Sequence, residues 1–167
     1  MSRRVAVTDL VDRATYRDFL ARRDGPALVF LTGHLALLGV TGWLVHLSLA
    51  TWWLPLAWFA HGTVLVHLFA PLHECTHYTA FRSRRLNDAV AWFCGLAIVL
   101  SPTFFRYEHR AHHAHTNHAD DDPELIALPS SVGGYLWYLS TIPYWAGLVH
   151  NMVDHARGRF NATERKF

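Results

Sequence analysis

The sequence predicts an all-α membrane protein: a transmembrane helical hairpin plus interfacial helices that carry two histidine clusters on the cytoplasmic side. Three observations predict it. Hydrophobic residues make up 51% of the chain and charged ones only 17%, and the charges gather before Gly25, between Arg82 and Glu124, and from Asp154 onward. The blocks between them are apolar and uncharged, a distribution that suits bilayer spans better than a soluble core. Thirteen histidines stand against two cysteines, and the densest histidine groups follow the apolar runs.

With 167 residues the chain has room for one ordinary domain. Its expected organisation is a cytoplasmic N-terminal segment (1–26), a transmembrane hairpin (27–72), a cytoplasmic histidine-rich region with an interfacial helix (73–128), and membrane-associated helices with a basic tail (129–167). The lead-in ends at Gly25–Pro26. Ala27 to Ala50 then forms an uncharged run long enough to cross a hydrocarbon core of ~30 Å at ~1.5 Å per helical residue. Trp52 and Trp53 sit where an aromatic belt is expected, and Leu54 to Leu72 crosses back. Arg3, Arg4, Arg13, Arg17, Arg22 and Arg23 precede the first span, while Arg82, Arg84 and Arg85 follow the second. The positive-inside rule places both flanks in the cytoplasm.

Ala89 to Ser101, closed by Pro102, is too short to cross, so it reads as an interfacial or re-entrant helix that keeps both flanking segments on one face. Val132 to Val153 is long enough, but Pro143, His150 and Asn151 interrupt it. It reads as a surface or re-entrant pair of helices broken near Pro143. Val5 to Asp24 is mixed and polar, with no apolar signal core, so insertion is expected to rely on the first span. Cys75 and Cys94 do not form a disulfide framework. A net charge of +2 gives no case for a nucleic-acid partner.

The chemistry lies in the histidines. His73-Glu74-Cys75-Thr76-His77 places two imidazoles one helical turn apart on one face. His109-Arg110-Ala111-His112-His113 places three on one face, at i, i+3 and i+4. His115 and His118 extend the cluster, followed by Asp120-Asp121-Asp122-Pro123-Glu124. Imidazole suits iron, zinc, copper and nickel, so spacing points to a metal without naming it. Glu74 and Asp122 are candidates to accept a hydrogen bond from a ligand imidazole. Asp122 also reads as a helix N-cap, with Pro123 opening the helix. His34, His46, His61 and His67 lie in the spans, where an ionisable group faces a partner or the bundle interior. Of these, His67 is placed to line a path to the metal. His150 and His155 have no assigned role.

The run His73-Glu-Cys-Thr-His77, then Arg82-Ser-Arg-Arg-Leu-Asn87-Asp88, an apolar segment, and Phe105-Arg-Tyr-Glu-His109-Arg-Ala-His112-His113-Ala-His115-Thr with Asp122-Pro-Glu-Leu125 resembles bacterial members of the membrane fatty acid desaturase family. The resemblance covers roughly residues 27 to 150. It implies a four-helix membrane bundle whose cytoplasmic cap holds two iron ions, with O2 as co-substrate. It further implies a fatty acyl substrate (linked to CoA, carrier protein or lipid) and a ferredoxin or cytochrome b5-type electron donor. A bacterial inner membrane is the expected location.

Carried over residue by residue, the ligands are His73, His77, His109, His112 and His113. His115, His118, Glu74 and Asp122 are added as further ligands or as hydrogen-bond partners behind them. No catalytic residue is expected beyond the metal ligands. One departure is large: the family's third box, another His-x-x-His-His, has no match after His118, where only His150 and His155 remain. The expectation is an incomplete N-terminal half, inactive alone, whose second iron needs the missing box. Competing readings are a hydroxylase or ketolase of the same superfamily acting, for instance, on carotenoids, a histidine-rich metal-binding or transport protein, and a membrane cytochrome using His34 and His61.

Overall fold

A computed structural model describes residues 10–160 and 164–166, all helix, turn or irregular chain with no strand among them. Residues 1–9 lie outside that range, so the expected roles of Arg3 and Arg4 fall outside the described residues. Two compact units divide between Thr103 and Phe104.

The first unit holds α1 (Arg13–Phe19), α2 (Asp24–Ser48), α3 (Leu54–Val66), α4 (Phe69–Thr76) and α5 (Arg84–Ile98). Asp12 caps α1, accepting from the backbone N–H groups of Ala14 at 2.9 Å and Thr15 at 3.0 Å. The first span starts earlier than its apolar run: Asp24, Gly25 and Pro26 form the opening turn of α2. Proline is tolerated there because the first-turn N–H groups have no helical acceptor.

Two helical stretches, α2 and α3 continued by α4, are long and apolar enough to cross a membrane. Their outward faces are bare, with Val29, Phe30, Trp43, Leu47 and Phe59 all more than half exposed. Such continuous apolar surface is suited to lipid or to further helices. Two polar residues inside α2 are answered within the helix, Thr41 Oγ1 donating to the Leu37 carbonyl and Ser48 Oγ to that of Leu44. Two imidazoles tie α2 to α3. His34 Nε2 donates to the Val64 carbonyl at 2.9 Å, and His61 Nδ1 lies 2.9 Å from Thr41 Oγ1.

In the expected second span, Leu54 to Leu72, a turn at His67–Leu68 interrupts the helix before its end. Pro71 has no N–H to give the His67 carbonyl, and the chain tightens there, with Leu68 N bonding back to Leu65 O. The helix then resumes as α4 and runs on through the first histidine pair to Thr76.

A small core forms where α4 meets α5. Leu68, Leu72 and Cys75 are fully buried, and on α5 Asn87, Val90, Ala91 and Cys94 repeat at helical spacing to present one buried face. Each fully buried leucine contributes about 1.5–3 kcal/mol. The helix α5 begins at Arg84, well before the expected Ala89, because Ser83 caps it and the polar Arg84–Asp88 turn is helical too. It stops at Ile98, ahead of Ser101. Val99 adopts a left-handed conformation (φ 59°), and Leu100 N bonds back to Gly95 O at 2.8 Å.

The second unit holds most of α6 (Pro102–His115), then α7 (Val132–Leu139) and α8 (Ile142–Ala156), which pack on each other. The expected break near Pro143 falls at Ser140–Thr141, where Thr141 has φ 58°, and Pro143 sits in the first turn of α8. His150 faces Asp154 at 3.2 Å, and His155 faces Glu164 at 2.9 Å.

Candidate metal centre

Helix α4 presents His73 one turn before its C-cap residue, His77. The two rings meet edge-on with centroids 4.7 Å apart, and one nitrogen of each lies within 4.8 Å of the other. The bonds around His73 orient it: its Nδ1 lies 3.2 Å from Glu74 Oε1, and Thr79 donates to the other oxygen of that carboxylate at 2.9 Å. Tyr78, left-handed at φ 59°, ends the helix just after the pair.

The following loop is clamped by Asn87, a fully buried amide on α5. It accepts from the Phe81 N–H at 3.2 Å and donates to the carbonyls of Phe81 and Ser83, both at 2.8 Å. Buried polar groups persist only when satisfied in this way. His67 bonds to its own helix, Nδ1 donating to the Thr63 carbonyl at 2.7 Å.

On α6 the second cluster forms a stack along one face. Phe105 lies flat against His109 (centroids 4.9 Å apart), and His112 lies beyond at 5.6 Å. His113 turns its Nε2 to within 3.0 Å of His109 Nε2. Asn117, left-handed at φ 63°, then reverses the chain. Its N–H donates to Asp122 Oδ2 at 2.8 Å, and the returning segment brings two carboxylates onto the imidazoles. Glu124 Oε1 accepts from His109 Nδ1 at 2.7 Å, and Asp122 Oδ1 accepts from His112 Nδ1 at 2.8 Å.

The expectation that Asp122 caps a helix opened by Pro123 is therefore corrected. Residues 122–128 are not helical, because the carboxylate is taken up by His112 and by the N–H groups of Asn117 and Glu124. His115 and His118 stand apart from this stack. Both are exposed, and His118 pairs with Asp121 at 3.1 Å.

The hydrogen bond to Asp122 lifts His112 above the ordinary imidazole value, against an opposing effect of burial. For Asp122 burial acts upward, but the His112 bond and the two backbone donors together hold the carboxyl below its usual range. Burial raises Glu108, assisted by the negative charges of Glu124 and Glu164.

This chemistry suits a cationic metal. A carboxylate on Nδ1 fixes the tautomer that leaves the Nε2 lone pair available, the arrangement usual behind metal-bound histidines. Two nitrogens each about 2.1 Å from one ion, at roughly a right angle, lie about 3 Å apart, and the Nε2 atoms of His109 and His113 are separated by 3.0 Å.

The model of a protein family described as fatty acid desaturase matches residues 50–167. The chain belongs to the fatty acid desaturase family. Its desaturase relatives include a "Delta(9) fatty acid conjugase-like enzyme" of Dimorphotheca sinuata, 39% identical over 64% of this chain and 28% of the relative. An "sn-1 oleoyl-lipid 12-desaturase" of Anabaena variabilis is 29% identical over 70% of this chain and 37% of its own length. A chloroplastic "Temperature-sensitive sn-2 acyl-lipid omega-3 desaturase (ferredoxin)" of Arabidopsis thaliana is 34% identical over 47% of this chain and 18% of the relative. The chain thus spans roughly a third or less of these desaturase relatives. No solved structure matches it.

Sequence reasoning left Glu124 without a role. Fifteen positions separate it from His109, and only the Asn117 reversal joins them. The one signal in the sequence was an acidic run following a histidine cluster.

Proposed function

We propose that this chain supplies part of a histidine-ligated di-iron site that removes hydrogens from a fatty acyl chain in the presence of O2. Family membership supports the reaction class. The observation that carries the metal assignment is the pair of carboxylate-backed imidazoles, His109 on Glu124 and His112 on Asp122. The proposed ligands are His73, His77, His109, His112 and His113.

Bound iron would supply the activation of O2 that an unactivated methylene requires. The chain's own residues do the positioning. Glu124 and Asp122 hold the Nδ1 protons, so the ring lone pairs stay directed outward. Glu74 does the same for His73, and Phe105 covers one face of His109 and keeps water from it. In overall balance, O2 with two electrons and two protons from the donor, and two hydrogens from the acyl chain, gives a double bond and two waters.

The ferredoxin in the name of one relative supports a ferredoxin-type donor, and two relatives named for lipid substrates support a lipid-linked acyl group. The arginines flanking α2 and following α4 support a cytoplasmic location for the N-terminus and both clusters. A third histidine box is taken to complete the ligand set.

The test is metal analysis of the purified protein, with product analysis by mass spectrometry once the third box is supplied on an added polypeptide. Iron retained by the parent, lost in His112→Ala, and an unsaturated product support the reading. Absence of iron, or full activity in His112→Ala, overturns it.

A further inference from the structure

The point where α2 enters the membrane carries a second built surface, independent of the histidines. A cavity of about 610 Å3 lies between the end of α1, the first turn of α2 and the loop after the first histidine pair, with Phe19, Arg22, Pro26 and Thr79 among its walls. Its rim is cationic. Arg23 is engaged by Asp18 at 2.5 Å, but Arg22 and Arg82 form no ion pair among the described residues.

Arg82 is nevertheless fixed in place. Its backbone N–H donates to Asp24 Oδ1, and its Nε donates to the Arg22 carbonyl, each at 2.8 Å, which ties its guanidinium to the Arg22 backbone beside the cavity. Beside these charges Phe19 is 74% and Leu20 61% exposed, immediately before a helix apolar enough to cross a bilayer. Exposed apolar side chains next to guanidiniums that form no ion pair, at a span terminus, match the boundary between acyl chains and phosphate headgroups.

We propose that this cavity binds the phosphate headgroup of an anionic phospholipid, held by Arg22 and Arg82, while Phe19 and Leu20 rest against its acyl chains. A planar guanidinium suits phosphate oxygens, and two without a carboxylate partner give an anionic lipid the advantage over a zwitterionic one. The apolar wall distinguishes a lipid from free phosphate, which has nothing to place there.

The full chain in neutral detergent would be titrated with short-chain phosphatidylglycerol, with short-chain phosphatidylcholine and with inorganic phosphate, and bound adducts counted by native mass spectrometry. Saturable binding of phosphatidylglycerol is expected, clearly tighter than that of phosphatidylcholine, with no displacement by inorganic phosphate. Arg22→Gln and Arg82→Gln should each weaken it by about fivefold, while Arg85→Gln, on the outer surface of α5, leaves it unchanged. Arg22→Gln removes no hydrogen bond among the described residues, so its loss of binding is separable from misfolding, and unchanged helicity by circular dichroism checks both variants. Equal binding of the two lipids, displacement by phosphate, or unchanged binding in Arg22→Gln overturns the proposal.

Discussion

Replacing Glu124 by alanine probes the carboxylate behind His109. The bond is charge-assisted and short at 2.7 Å, the His109 side chain is 9% exposed, and that of Glu124 is 27% exposed. A hydrogen bond to a charged group contributes about 1.5–3 kcal/mol. Partial exposure of the glutamate puts this one near the lower end. At 1.4 kcal/mol per decade, Glu124→Ala should weaken metal binding by about 10–30-fold, within the range usual for partners behind a ligand. Glu124→Gln keeps an acceptor oxygen and removes the charge, so its loss should be smaller. The assay is anaerobic titration of metal-stripped protein with Fe(II) against a chromophoric chelator. If Glu124→Ala stays within about twofold of the parent while His109→Ala abolishes binding, the carboxylate does not act through His109, and the reasoning fails.

Three further perturbations follow from the same geometry. In metal-free protein the stability that His112 gains from Asp122 is fully present below the ordinary imidazole value of 6.5 and is lost as pH rises through the raised folded value. The contribution of Asp122 is present above 3.8 and is lost as pH falls through its depressed value. NMR titration of the His112 ring should therefore give a midpoint above 6.5 that falls in Asp122→Asn. Asn87→Ala leaves the buried Phe81 N–H and carbonyl without their partner. At about 1–3 kcal/mol for each such group, thermal unfolding in detergent should show a loss of several kcal/mol. Gly95→Ala sets a Cβ 2.3 Å from the Leu100 carbonyl oxygen, and backbone cannot rotate away as a side chain can, so the same assay should show a loss of about 3 kcal/mol or more.

The spans, the short helix before Pro102 and both histidine clusters are legible in the sequence because each depends on local periodicity. His73 and His77, or His109 and His113, come together through helical spacing alone. Boundaries were harder, since capping and backbone conformation set them. Ser83 starts α5 in a polar stretch that no apolar count would include, and left-handed Val99 ends it early. The Asp122 misreading has the same origin. Asp-Pro is a sound helix-start signal, but the carboxylate can be taken by an imidazole ten residues away once Asn117 reverses the chain. Nothing in a linear reading weighs those partners against each other.

The two imidazole clasps of the hairpin, His34 to Val64 and His61 to Thr41, act at a distance. They set the vertical register of α3 against α2, and His73 follows on the same rising stretch with only the turn at His67–Leu68 between. The altitude of the first histidine pair above the lipid is thus decided deep within the membrane. A slip of one turn would raise or sink it by about 5.4 Å, more than twice a metal–nitrogen bond of about 2.1 Å. The hairpin works as a gauge, and wear in its clasps would surface as a displaced histidine pair at the far end.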